Sequence, residues 1–149
     1  MRVIFHLIFA RLNKMARITG NCLCGEVEFE LDGDFQYLNL CHCKQCQRAT
    51  GSAHASNLFT DPGNIRWTKG EDSVRRYDVP DRVISNAFCA TCGSGLPYIS
   101  KSGNSLVVQA GALNDPISKT TPMRNIYCSE RADWYDECLA AEHYDTFPE

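Results

Sequence analysis

Cys22-Leu23-Cys24, Cys41-His42-Cys43-Lys44-Gln45-Cys46 and Cys89-Ala90-Thr91-Cys92 hold seven of the nine cysteines in this 149-residue chain. Clusters this tight point to metal, zinc first of all. A closed structural zinc site takes four protein ligands, whereas a working site takes three and keeps one position open. Seven ligands divide into four plus three. The two doublets together would make a closed tetrathiolate, and the triplet would hold a second ion with a vacancy. Spacing alone leaves mixed groupings open, such as Cys22 and Cys24 with Cys41 and Cys43. A disulfide framework fits less well: nine is odd, no secretory signal is convincing, and Cys-x-Cys neighbours are poorly placed to bridge each other. Cys128 and Cys138 stand apart and read as half-buried single thiols. The alternative is that Cys128 supplies a fourth ligand to the triplet and closes it.

The chain has the length of one ordinary domain with a real core, and its 44% hydrophobic and 22% charged residues are those of a soluble protein. Formal charge is −3. Seven thiolates against two divalent cations take it to about −6, a poor match for a phosphate backbone, so nucleic acid is disfavoured as a partner. Met1 to Lys14 carry Arg2, Arg11 and Lys14 without an acidic residue, around the apolar run Val3 to Ala10. That run is too short to span a bilayer and lacks a small-residue cleavage site. Residues 1–16 are therefore expected to be a poorly ordered extension, and 17–149 a single domain. No membrane partner is expected, and a thiolate-rich protein suits a reducing cytosol.

From Arg17 onward the pattern is β. Val27, Phe29 and Leu31 alternate with Glu26, Glu28 and Glu30, the signature of a strand with one buried face. Asp32-Gly33-Asp34 is a turn, and Phe35 to Leu40 form the next strand, leading into the triplet. Cys41 and Cys43, two apart on extended backbone, project to one side, and His42 between them points away from their metal. Lys44 to Ala49 fit a short helical turn ended by Gly51. Further short strands are expected at 53–59, 65–68, 73–77, 82–88, 96–100 and 105–110, separated by turn residues such as Asp61-Pro62-Gly63 and Ser102-Gly103-Asn104. Gly93 lets the backbone turn so that its amides face the sulfurs of Cys89 and Cys92. Trp67, Tyr77, Phe88, Tyr98 and Trp134 read most simply as core, with Trp134 as a second candidate for a pocket wall. Many short strands without long helical periodicity make a mainly β architecture.

The ordered set Gly20-Asn21-Cys22-Leu23-Cys24-Gly25, Cys41 through Gly51, and Phe88-Cys89-Ala90-Thr91-Cys92-Gly93-Ser94-Gly95-Leu96 resembles the glutathione-dependent formaldehyde-activating family, which includes CENP-V-like proteins. Ala110 to Pro116 and Arg131-Ala132-Asp133-Trp134-Tyr135 add to the likeness, which runs from Ile18 to about Pro148. The resemblance implies an Mss4-like β-tent, in which short antiparallel sheets wrap around zinc. It also selects among the groupings. Two zinc ions per chain are implied, a structural one on Cys22, Cys24, Cys89 and Cys92 and a catalytic one on Cys41, Cys43 and Cys46. One departure stands out: Asn125 occupies a position where the family often has histidine.

The activity so implied is that of a carbon–sulfur lyase acting on an S-hydroxymethyl glutathione adduct, joining a small thiol such as glutathione to an aldehyde, or the reverse. Three thiolates leave the zinc shell at net −1, a weak Lewis acid, so delivering a bound thiol suits it better than activating water. Glutathione carries two carboxylates that need partners, and Arg48, directly after the triplet, is the first candidate, with Arg82 and Arg131 behind it. His54 is a candidate proton donor at the open site. The competing reading is a non-catalytic zinc-binding module for protein or thiol binding.

Overall fold

The computed structural model describes residues 17–32 and 34–148, so the expected extension 1–16 and the centre of the Asp32-Gly33-Asp34 turn lie outside the described residues. Three small sheets carry the chain. In the first, β1 (Ile18–Asn21) pairs antiparallel with β2 (Glu28–Leu31), which pairs with β5 (Ile65–Lys69). The alternation in β2 does what its spacing predicts: Phe29 and Leu31 are buried, Glu28 is exposed, and Glu30 takes ion pairs from Arg17 and Arg66. Trp67 of β5 meets Phe29 edge-on at 5.8 Å between ring centres, a geometry that favours the ring quadrupoles.

The second sheet has five strands. β3 (Tyr37–Cys41) pairs antiparallel with β4 (Ala55–Thr60), β4 with β9 (Leu106–Gln109), and β9 with β8 (Tyr98–Ile99). On the far edge β10 (Met123–Ile126) runs parallel to β3, so the tent is mixed rather than antiparallel throughout. The third sheet is the hairpin of β6 (Val74–Asp78) and β7 (Ser85–Cys89).

Register decides what each face of the five-stranded sheet does. Leu38, Leu58 and Val108 lie opposite one another across β3, β4 and β9 and enter the main core with Phe29, Leu31, Leu96 and Leu106. The alternate residues Asn39, Cys41, Asn57, Phe59 and Val107 turn to the other face, where the cysteine triplet sits. Leu58 is fully buried at the middle of the sheet. Leu58→Ala is expected to cost about 2–5 kcal/mol, through lost transfer energy and the cavity left behind. Chemical denaturation checks this, with a fall in midpoint at unchanged slope as the expected result.

Two expectations for aromatic side chains are corrected. Tyr77 and Trp134 are 56% and 51% exposed rather than core. Tyr77 stands on a two-stranded sheet with little to cover it, and Trp134 precedes the short helix α2 (Tyr135–Leu139), after which every residue from Asp136 to Pro148 is exposed. Cys128 and Cys138, expected to be half-buried, are also exposed, Cys128 in the turn after β10 and Cys138 on α2. Among the described residues, no helix is long and apolar enough to cross a membrane.

Candidate metal centres and the adjoining cavity

Two knuckles build the first centre. After β1 the chain turns through Cys22, Leu23 and Cys24 to Gly25, and after β7 it turns through Cys89 and Cys92 to Gly93. Both glycines hold left-handed backbone, φ +73° and +75°, that a side chain would strain. Each closes its knuckle with an amide bond back to the first cysteine, Gly25 N–H to Cys22 O at 3.1 Å and Gly93 N–H to Cys89 O at 2.9 Å. The Sγ atoms of Cys22, Cys24, Cys89 and Cys92 all lie within 4.8 Å of one another, with 3.5 Å between Cys22 and Cys24 and 3.9 Å between Cys24 and Cys89. Four sulfurs at about 2.3 Å from one tetrahedral zinc are about 3.8 Å apart, so the donor set and its spacing fit that ion.

Surrounding groups are arranged for sulfur anions. Val27 N–H donates to Cys22 Sγ at 3.3 Å. Ser94 Oγ accepts the Leu23 N–H at 2.9 Å and the Cys92 thiol at 3.3 Å. The Ser94 hydroxyl and backbone amide hold the Cys92 thiol down at about 5. Cys24 is helped by the Glu26 amide, yet burial and the neighbouring sulfurs push it up to about 12. Four thiolates this close repel one another, and a shared cation is what lets all of them ionise.

The triplet is built where a strand becomes a helix. Cys41 ends β3, and the backbone stays extended through Cys43, which has φ −65° and ψ 152° and caps helix α1 (Lys44–Thr50). Cys43 Sγ accepts the Cys46 N–H at 3.4 Å, so the cap bond itself draws two of the three sulfurs together. One turn of helix then returns Cys46 to the side that Cys41 and Cys43 already face, and Gly51 ends the helix in left-handed conformation. The three Sγ atoms lie within 4.8 Å of one another, and among the described residues no fourth His, Cys, Asp or Glu atom joins them. Cys128 is therefore not a ligand of this group. Burial pushes the Cys41 and Cys46 thiols up, with further upward pressure from Cys43. Three soft sulfurs in a compact trio suit zinc as the four do, with one coordination position left over.

The three cysteines line a cavity of about 370 Å³, within the range of small-molecule sites. Asn39 and Asn57 come from the sheet, Tyr98 and Ser100 from β8 and its end, Arg82, Val83 and Ile84 from the β6–β7 turn, and Tyr127 and Glu130 from the segment after β10. Burial, followed by the charge of Cys46, pushes the Tyr98 phenol up to about 12, so it keeps its proton at neutral pH. Glu130 Oε2 accepts the Lys44 N–H at 2.8 Å, and Gln47 Nε2 donates to both His42 O and Glu130 O. Gln47 and Glu130 thereby lock the triplet loop to the opposite wall. Neither stood out in the sequence, because the contacts that join Glu130 to Lys44 and Gln47 cross more than eighty residues.

His42 turns away from the sulfurs, is fully buried, and meets Asn125 Oδ1 at 2.9 Å through Nε2. An amide oxygen only accepts, so Nε2 carries the proton. Asn125 does not line the cavity and instead supports the triplet loop through His42. His42, His54 and Tyr135 stack edge-on as a trio, with ring centres 5.1 to 5.5 Å apart. His54 opens into a second hollow, with Ser56 and Gln109, and burial lowers its pKa. Arg48 is exposed on α1, and neither it nor His54 lines the triplet cavity. Arg131 pairs with Asp136 at 2.9 Å and also stays outside. Of the arginines considered, Arg82 is the one on the cavity wall.

Fold and sites together define a small β protein with one four-cysteine and one three-cysteine group, each able to hold a metal ion. The family model for the glutathione-dependent formaldehyde-activating enzyme matches residues 17–130, and the chain belongs to that family. Its backbone is similar to the crystal structure of a Rhodobacter sphaeroides protein, with a TM-score of 0.56 and 23% identity over 71% of this chain and 99% of that one. At that identity the likeness speaks for the fold. A comparison with curated protein sequences returns no match.

Proposed function

We propose that residues 17–149 act as one zinc-binding domain carrying two zinc ions, and that it is a carbon–sulfur lyase interconverting glutathione plus formaldehyde with the S-hydroxymethyl adduct. The observation that carries this reading is the three-sulfur group of Cys41, Cys43 and Cys46 opening into a cavity of ligand size. Family membership supplies the substrate class.

In the forward direction a sulfur–carbon bond forms, the carbonyl π bond breaks, and the thiol proton ends on the new hydroxyl; nothing is oxidised or reduced. Cys41, Cys43 and Cys46 would hold the zinc ion, whose charge would stabilise the thiolate form of an incoming thiol. With three thiolates, Cys41, Cys43 and Cys46 would leave such a centre a weak Lewis acid, better suited to a thiol nucleophile than to activating water. Ile84, Val107 and Ile126 line the cavity with apolar surface that limits competing water. The Tyr98 and Tyr127 phenols and the Ser100 hydroxyl are O–H donors on the cavity wall, suited to an oxygen on which negative charge develops. The thiolate clusters suit a reducing cytosol.

The test is a titration of glutathione into protein in which cobalt replaces zinc. One added thiol per chain is expected to intensify the sulfur-to-cobalt absorption. A spectrum unmoved at millimolar glutathione overturns the proposal.

A further inference from the structure

Among the described residues, Arg82 is the one cation on the wall of the triplet cavity, where the other charged wall residue outside the sulfurs is Glu130. Among the described residues its guanidinium takes part in no ion pair, whereas Arg66, Arg76 and Arg131 are each engaged with a carboxylate. Its position depends on an irregular turn. Val79 N–H donates to Ile84 O at 3.2 Å, Arg82 N–H to Val79 O at 3.3 Å, and Asp81 between them is held at φ +55°. Asp tolerates that conformation in turns, and Lys101 braces the turn from outside: its Nζ donates to Val79 O and to Arg82 O, at 2.6 Å each. Lys101 itself does not line the cavity. An ammonium bridging two carbonyls of one turn is a clamp, and its second grip is on the residue that carries the free guanidinium.

We infer that Arg82 anchors a carboxylate of the thiol substrate, and that Lys101 is the positioning residue that holds Arg82 over the cavity. The site then selects thiols bearing a carboxylate over neutral thiols, with the anionic end drawn to the β6–β7 turn and away from Glu130. This inference rests on thiol entry at the triplet, as proposed above. A planar guanidinium is suited to bidentate carboxylate recognition, and charge-assisted hydrogen bonds are the stronger kind.

The experiment compares glutathione with 2-mercaptoethanol, which lacks carboxylates, by titration into cobalt-loaded protein. Arg82→Gln is expected to weaken glutathione binding about ten- to a hundredfold and to leave 2-mercaptoethanol unchanged. Lys101→Met is expected to give the same selective loss at smaller size, and Lys101→Arg to restore it. Metal content confirms that both centres stay filled in each variant. If Arg82→Gln binds glutathione as the parent does, or Lys101→Met weakens both thiols alike, the inference falls while thiol entry stands. If the parent protein binds neither thiol, both fall together.

Discussion

Cys89→Ala is expected to leave no cooperatively folded domain. Cys89 is fully buried, belongs to the main core with Cys22 and Leu96, and ends the strand that ties the β6–β7 hairpin to the rest of the molecule. Its partners Cys22 and Cys24 lie after β1, so the tetrathiolate joins segments more than sixty residues apart and fastens the first sheet to the third. Structural zinc contributes about 10–16 kcal/mol to small metal-dependent folds, while an ordinary domain has only about 5–15 kcal/mol in hand. Taking one sulfur away also leaves three close thiols in a site shaped for an ion. Circular dichroism against temperature, together with metal analysis, tests this. A sharp unfolding transition within a few degrees of the parent would show that the centre is dispensable.

Cys43→Ala should behave in the opposite way. Cys43 is half-buried at the start of a seven-residue helix, and the fold loses mainly one cap bond, Cys46 N–H to Cys43 Sγ. Such a loss costs about 1 kcal/mol, or a few degrees of melting temperature at this chain length. The structural ion should stay and the second ion should go. Formation of the hydroxymethyl adduct should then fall to the spontaneous rate. Metal content of one per chain, a melt close to the parent and no enzymatic rate form the expected result. A variant that keeps both ions and full turnover would remove the triplet from the chemistry, and one that unfolds like Cys89→Ala would make it architectural.

How much of this was legible in the chain follows from the range of the interactions involved. The Cys-x-Cys, Cys-x-Cys-x-x-Cys and Cys-x-x-Cys spacings are local, and backbone geometry converts them directly into sulfurs on one side of a knuckle or a helix cap. The alternation in β2 and the turn residues between the short strands are local in the same sense, so the mainly β character could be read from them. β10 could not. Met-Arg-Asn-Ile is four residues without alternation, three of them exposed, and it becomes a strand because β3 offers it an edge. The aromatics erred in the same direction: Tyr77 and Trp134 have the composition of core residues but sit on segments that nothing covers.

The cysteine spacings and the hydrophobic alternation belong to the sequence by itself, because both express the fixed geometry of a few consecutive residues. Which arginine faces the open centre was decided only by the tertiary structure. Arg48 is adjacent to the triplet in the chain yet turns to solvent on α1, since successive helical residues point in different directions. Arg82, thirty-six residues beyond Cys46, reaches the cavity because the β6–β7 turn folds over it and Lys101 holds the turn there. Proximity along a chain carries no direction in space; strand register and the clamp on a distant turn supply it.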